Sequence, residues 1–526
     1  MADRRLAGRR AGALVPLFSI PSRESWGIGE ISDLPIFAQW LRDAGLSVLQ
    51  LLPVNEMSAG QTSPYSALTA MAIDPIYISL RDVPEFQAWG GESALDDEES
   101  DRLAEVRSSP FVDYRTVRDL KTRCLRDAFD TFMEDQWRGG SERASALRRY
   151  LEVESWWLDD YALFRALHRE NEERYWIEWE AALRRREAHA LRAARQRLER
   201  DILYYAWLQW IASEQWTAAR AECPDVAIIG DFPFMVSGDS ADVWVRQQQF
   251  RLDASVGVPP DAFSETGQDW GLPVYRWDVV AATGDEWLKS RARRSAALFD
   301  GFRIDHLVGF YRTFVREKKG STCFVPADEP AQLRQGQRLM AVFRDSGAAV
   351  IAEDLGIVPD FVRESLEAMG VPGLKVLRWE REWDVEGHPF REPASYPRAS
   401  VAMSGTHDTE TLAEWWDAAD ADERVRAVKL EALVEAAITA DETYSPRLRD
   451  ALLKALFAAA SDLILLPLQD IFGWTDRINT PAVVASHNWT WRLPWPVDTM
   501  RDDSDAMERA EFLERLGSRA GRIPHR

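Results

Sequence analysis

Four acidic residues stand at the ends of short apolar runs. They are Asp231 in Gly230-Asp231-Phe232-Pro233, Asp305 in Phe302-Arg303-Ile304-Asp305-His306, Glu353 in Ile351-Ala352-Glu353-Asp354-Leu355-Gly356, and Asp408 in Ser404-Gly405-Thr406-His407-Asp408-Thr409. Cleaving a glycosidic bond asks for two carboxyl groups in different protonation states: one ionised to attack the anomeric carbon, one protonated to donate to the leaving oxygen. Arg303 and Asp305 are two apart, so on a strand they share a face while Ile304 turns away. A guanidinium beside a carboxylate lowers its pKa, so Asp305 is expected to be ionised. Glu353, from the following run and crowded by Asp231, Asp305 and Asp408, is expected to keep its proton. Asp354 should point the opposite way or into the next turn, which makes it the weaker candidate. One Arg-x-Asp alone reads better as a buried strand-end ion pair, but acids at four such ends together favour a catalytic cluster. A divalent-metal hydrolase also gathers carboxylates, usually with histidines; this chain has 7 histidines, of which His306 and His407 adjoin the acids, and no dedicated metal spacing. Each of those two reads either as a donor to a sugar hydroxyl or as a packed neighbour.

Holding these groups takes a scaffold, and its elements recur along the chain. Candidate strands are Ala13–Phe18, Val48–Val54, Val226–Asp231, Gly301–Asp305, Ala349–Glu353, Leu374–Trp379, Val401–Thr406 and Leu463–Leu468. Several are apolar throughout, as parallel strands covered on both faces should be. Helical patterns fit between them: Asp33 can cap Leu34–Ala44, and Asp360 begins a helix through Phe361, Val362, Leu366 and Met369 that ends at Gly370. Eight strand–helix repeats predict an α/β fold closed as a (β/α)8 barrel, whose active site lies at the C-terminal ends of the strands. Residues 1–526 then form a single catalytic unit. Residues 81–224, rich in Ala, Leu, Arg and Glu over their second half, read as a mainly helical insertion subdomain, with Asp96–Glu99 a solvated loop inside it. Residues 246–277 are rich in Gly, Pro and aromatics without a helical period, and read as a long loop covering a site.

Composition narrows the function classes. A net charge of −22 and a pI near 4.9 disfavour phosphate backbones and anionic lipid as partners. Cys124, Cys223 and Cys323 are far apart and never in a CxxC pair, which suits a reducing, cytoplasmic setting. Arg4, Arg5, Arg9 and Arg10 precede an apolar run in the manner of a signal peptide, but Pro16 interrupts it and no A-x-A site follows, so the run reads as the first core strand. The 23 tryptophans are many for this length; indole faces suit sugar-ring faces, although filling a large core explains most of them.

Taken in order, the motifs closely resemble those of the 4-α-glucanotransferases (amylomaltases, disproportionating enzymes) of glycoside hydrolase family seventy-seven, in the α-amylase clan. The match includes Ser63-Pro64-Tyr65 with Asp74-Pro75, Gly230-Asp231-Phe232-Pro233, Asp239 to Trp244, Gly257 to Asp261, Gly267 to Gly271, and the three acid-bearing segments. It continues through Arg477-Ile478-Asn479-Thr480-Pro481 and Asn488-Trp489-Thr490-Trp491-Arg492. Carried over residue by residue, the resemblance implies that Asp305 is the nucleophile, Glu353 the general acid/base and Asp408 the third carboxylate, which distorts and stabilises the bound sugar. Arg303 and His407 would hydrogen-bond the nucleophile and sugar hydroxyls. Tyr65, Asp231 and Asn479 would line the donor side, with His306 also at the substrate. Phe263, Gln268 and Trp270 would lie in an acceptor-side loop, and Trp379 would be an aromatic acceptor platform. It further implies donor and acceptor α-1,4-glucans as the only partners, retention of configuration, and no metal or organic cofactor. The rival readings are an α-glucan hydrolase of the same clan and a non-catalytic glucan-binding protein.

Overall fold

The computed structural model describes residues 6–260, 267–481, 483 and 485–524. Within them lie twelve strands: β1 (Arg10–Leu14), β2 (Val48–Gln50), β3 (Ala227–Phe232), β4 (Phe250–Val258), β5 (Gln268–Tyr275), β6 (Gly301–Ile304), β7 (Thr313–Glu317), β8 (Thr322–Val325), β9 (Ala349–Ala352), β10 (Gly373–Val376), β11 (Ser400–Met403) and β12 (Leu463–Pro467). Eight of them close a parallel barrel in the order β1, β2, β3, β6, β9, β10, β11, β12, with β12 returning to β1. The expected (β/α)8 barrel is therefore present, and each of the eight apolar runs supplies one strand. β3, β6 and β11 are buried along their whole length, which is why they lack the alternation of a half-exposed sheet.

Local chemistry sets the ends of the elements. The first strand runs earlier than its sequence suggests and stops at Leu14. Pro16 has no N–H to give to a ladder, and the chain turns into a 3-10 segment at Leu17–Ser19 instead. Helix Leu34–Asp43 buries Leu34, Phe37, Ala38, Trp40 and Leu41 on one face, as its spacing predicts. Asp33 does not cap it: the carboxylate accepts from the Ser25 hydroxyl at 2.6 Å and the Glu30 N–H at 2.8 Å, one turn upstream. Helix Asp360–Ala368 buries Val362 and Leu366, and the left-handed Gly370 (φ +65°) follows its end.

Between β2 and β3 the chain builds the helices Pro84–Trp89, Asp97–Ser108, Tyr114–Phe132, Glu142–Glu170, Ala188–Arg197 and Glu199–Glu222. The acidic run Asp96–Glu99 is a helix start rather than a loop. Asp96 accepts from the Glu99 N–H while the Glu99 side chain accepts from the Asp96 N–H, and the acids complement the positive end of the helix. Residues 246–277 also differ from the expected loop. β4 and β5 pair antiparallel there and, with β7 and β8, form a four-stranded sheet in the order β5, β4, β7, β8. Among the described residues no helix is long and apolar enough to cross a membrane.

Gly230, immediately before Asp231, is a point of close approach: a Cβ there would stand 2.3 Å from the Phe299 ring. Gly230→Ala should lower unfolding free energy by about 1–3 kcal/mol through overpacking, read by urea denaturation. Unchanged stability would show that the Phe299 contact yields freely.

Candidate active site

The register of the barrel brings the acids together. Asp231 on β3 and Arg303 on β6 are direct cross-strand partners, and Asp305 follows β6 as Glu353 follows β9. Arg303 is 2% exposed and its guanidinium serves three carboxylates. Nη1 donates to Asp231 Oδ2 at 2.6 Å, while Nη2 lies 3.1 Å from Asp305 Oδ1 and 3.0 Å from Glu353 Oε2. Sharing one nitrogen, those two carboxylate oxygens are no more than about 6 Å apart. A cation thus occupies the centre of the acid cluster, and the protein supplies it itself.

The expected order of protonation is reversed in this arrangement. Burial pushes the Asp305 carboxyl well above the usual carboxylate range, and the charges of Glu353, Asp231 and Asp408 add to that against the pull of Arg303. Burial acts on Glu353 in the same sense. Arg303 and the His306 backbone N–H, which donates to Glu353 Oε2 at 2.6 Å, more than offset it and hold that carboxyl below its usual range. Arg303 therefore does not single out Asp305, and of the two carboxyls Asp305 is the one that takes up a proton more readily. His306 gives this N–H from a left-handed backbone (φ +44°), sparsely populated by non-glycine residues and common at functional sites. Burial lowers its imidazole pKa to about 4, so the ring is neutral, and it meets Trp270 edge-on with centroids 4.8 Å apart.

A second group gathers around Asp408. Its Oδ1 accepts from Asn479 Nδ2 at 2.6 Å and its Oδ2 lies 3.3 Å from His407 Nε2. Burial alone would raise this carboxyl, but His407, Asn479 and Arg303 bring it down to about 2. Tyr65 links the two groups, donating to Asp231 Oδ2 at 2.9 Å, contacting His407 Nε2 at 3.0 Å and stacking on its ring. Asp231 Oδ1 and His407 Nδ1 are buried without a hydrogen-bond partner among the described residues.

The remaining candidates are placed unevenly. Gln268 Oε1 accepts from Trp270 Nε1 at 3.2 Å, so β5 carries both to the rim beside His306. Trp379 ends the turn after β10, is 39% exposed and has no hydrogen bond or ring contact with the acids among the described residues. Phe263 lies outside the described residues. Asp354 accepts from the Leu374 N–H at 2.8 Å and fastens β9 to β10, a structural use that fits its outward direction. Sequence reading missed Trp489, which packs against both Tyr65 and His407, and Arg477, which donates to the Asp408 carbonyl at 3.2 Å. Both lie in the C-terminal motifs, where their residue types alone gave no hint of a place behind Tyr65, His407 and Asp408.

Over residues 15–498 the sequence matches the family described as 4-alpha-glucanotransferase. The chain belongs to this 4-α-glucanotransferase family. Among curated 4-α-glucanotransferases, that of Thermus thermophilus is 33% identical over 508 residues, covering 92% of this chain and 95% of its own. That of Chlamydia pneumoniae is 30% identical over 496 residues, covering 92% and 91%. A solved amylomaltase from Streptococcus agalactiae, in complex with acarbose, aligns with a TM-score of 0.82 at 26% identity, covering 98% of this chain and 99% of that one. Sequence and structure together favour a 4-α-glucanotransferase over an α-glucan hydrolase of the same clan, and over a non-catalytic barrel.

Removing Arg303 should leave the buried Asp231 and the half-buried Asp305 and Glu353 without their shared cation. Arg303→Met is expected to cost about 3–5 kcal/mol of stability. Without the guanidinium the acids bind protons more tightly folded than unfolded, so this cost should shrink as pH falls and grow as pH rises. Urea melts at two pH values check it; a cost independent of pH contradicts the role given to Arg303.

Proposed function

We propose that Asp305 is the nucleophile, Glu353 the acid/base and Asp408 the carboxylate that holds the donor sugar, in a retaining transfer of α-1,4-glucan segments. The observation that carries this reading is Arg303 Nη2 lying within hydrogen-bond reach of both Asp305 and Glu353. The resulting spacing falls below the roughly 6.5–9.5 Å that an inverting pair needs for an intervening water.

The chemistry follows from the shared proton. A glycosidic oxygen set against Glu353 can accept a hydrogen bond only from its acid form, and positive charge developing at the anomeric carbon favours ionised Asp305. Donor binding thus moves the proton of the pair to where the reaction needs it. Asp305 then attacks the anomeric carbon as the glycosidic C–O bond breaks, and Glu353 gives its proton to the departing oxygen. In the second step the acceptor 4-hydroxyl loses its proton to Glu353 and displaces Asp305. Asp408, ionised and braced by Asn479, offers oxygens to the sugar hydroxyls and a negative charge to the oxocarbenium-like transition state. Tyr65, Asp231, Arg303 and His407 line the same donor side. Gln268, Trp270, His306 and Trp379 make up the acceptor side. The three cysteines, free in the structure, fit a cytoplasmic setting.

Transfer has to beat water at about 55 M, which a millimolar sugar manages only if binding supplies a large effective molarity, on the order of 10⁵ M. Trp270, edge-on to His306 beside Glu353, offers its face to the acceptor. Given maltotriose alone, the enzyme should release glucose with maltopentaose and longer chains while reducing ends stay nearly constant. Trp270→Ala should lower transfer about tenfold, roughly 1.4 kcal/mol, and leave hydrolysis within a factor of two. Reducing ends rising in step with maltotriose loss would assign the protein to hydrolysis, and an unaltered transfer ratio in the variant would remove Trp270 from the acceptor site.

A further inference from the structure

Of the 23 tryptophans, only Trp379 and Trp383 are exposed, at 39% and 65%. They are four residues apart, so at roughly 3.3–3.6 Å per residue their Cα atoms are separated by at most about 14 Å. Trp379 directly follows β10, at the end of the barrel where the acids stand, and Trp383 lies four residues further along the same segment. Packing accounts for the buried indoles, but not for two indoles held out in water within four residues of each other just past β10.

The segment that carries Trp383 is a built hairpin. Glu382 N–H donates to the Pro389 carbonyl and Arg391 N–H to the Glu380 carbonyl, each at 3.0 Å, and Arg381 bridges to Phe390. The Arg381 guanidinium lies over the Phe390 ring at 3.2 Å and pairs with Glu423 on helix Ala421–Ala427, which ties the hairpin to the body of the protein. At the tip, Trp383 leans on the His388 ring with centroids 5.3 Å apart. The indole is thus oriented before any ligand arrives, which removes part of the ordering cost of binding. Around it, Glu382, Asp384 and Glu386 are exposed.

An aromatic face among carboxylates selects a ligand with apolar ring faces and a periphery of hydroxyl donors, and it repels anions. The ligand already brought to this face by the enzyme's own activity has that chemistry. We propose that Trp383 is a binding platform for α-1,4-glucan chains outside the catalytic cleft, engaging the part of a long chain that extends past Trp379. It rests on the reading of Trp379 as an acceptor platform only for the direction in which the chain runs. The platform favours long glucans over short ones by adding a contact that maltotriose is too short to reach from the cleft.

The test uses full-length protein carrying Asp305→Asn, which stops turnover, run in native gels containing amylose, with and without Trp383→Ala. Trp383→Ala should weaken amylose retardation about tenfold, and Trp383→Phe should restore most of it. In otherwise wild-type enzyme, Trp383→Ala should raise KM for amylose about tenfold and leave kcat/KM for maltotriose within a factor of two. Retardation unchanged by Trp383→Ala overturns the proposal, as does an equal loss on maltotriose and amylose. A change in oligomeric mass on gel filtration without a change in amylose affinity assigns the indole to a protein contact and also overturns it. Trp379→Ala, run in parallel, separates the two claims: if it alters neither substrate, the acceptor role of Trp379 falls while the gel shift still decides Trp383.

Discussion

The site depends on one buried cation. Arg303 is almost wholly enclosed, and its guanidinium bonds or pairs with Asp231, Asp305 and Glu353 at 2.6–3.1 Å. Three carboxylates in so small a volume would otherwise repel one another and pay a large desolvation cost. One arginine makes their assembly tolerable without fully neutralising them. The remaining imbalance sets Asp305 and Glu353 apart in their hold on a proton, which is what the proposed mechanism uses.

Much of the rest of the chain serves to place that guanidinium and what faces it. The β3–β6 register sets Asp231 beside Arg303, and the two carboxylates that share Nη2 come from the ends of adjacent strands. From the other side, the Tyr65–His407–Trp489 stack joins a segment after β2, the end of β11 and a segment after β12 into one wall. The antiparallel sheet inserted after β3 brings Trp270 against His306, whose own N–H holds Glu353. Asp408 and Tyr65 on one side, Trp270 on the other and Glu353 between them are thus linked through a few side chains.

The barrel and the acids were legible in the sequence because both follow from simple periodicities. Fully buried strands read as unbroken apolar runs, and a residue at a strand's end is exposed to the site whatever its neighbours. What was not legible depended on the third dimension. That Arg303 sits equally near Asp305 and Glu353 cannot be seen in Arg-x-Asp, and the N–H that tips Glu353 downward arises from the left-handed φ at His306. The strands in residues 246–277 were hidden because their pairing shifts register between Arg251 and Ser255 and again between Val256 and Gly257, which breaks the two-residue alternation. The acidic run Asp96–Glu99 looked solvated and is, but its spacing also satisfies the reciprocal bonds of a helix start. Trp383 was lost among many tryptophans until its exposure separated it, together with Trp379, from the rest.

The account makes Asp305 the atom donor to a covalent bond that exists between two transfers, and this can be observed directly. An α-maltosyl fluoride carries a leaving group that needs no proton, so it can glycosylate Asp305 when Glu353 is replaced by Gln, while release to an acceptor is slowed for want of a base. Rapid quenching, proteolysis and mass spectrometry of Glu353→Gln with this donor should find a maltosyl adduct on the peptide containing Asp305, absent when Asp305 is also changed to Asn. An adduct on a peptide bearing Asp231 or Asp408, or sustained turnover with no adduct at any time, would contradict it.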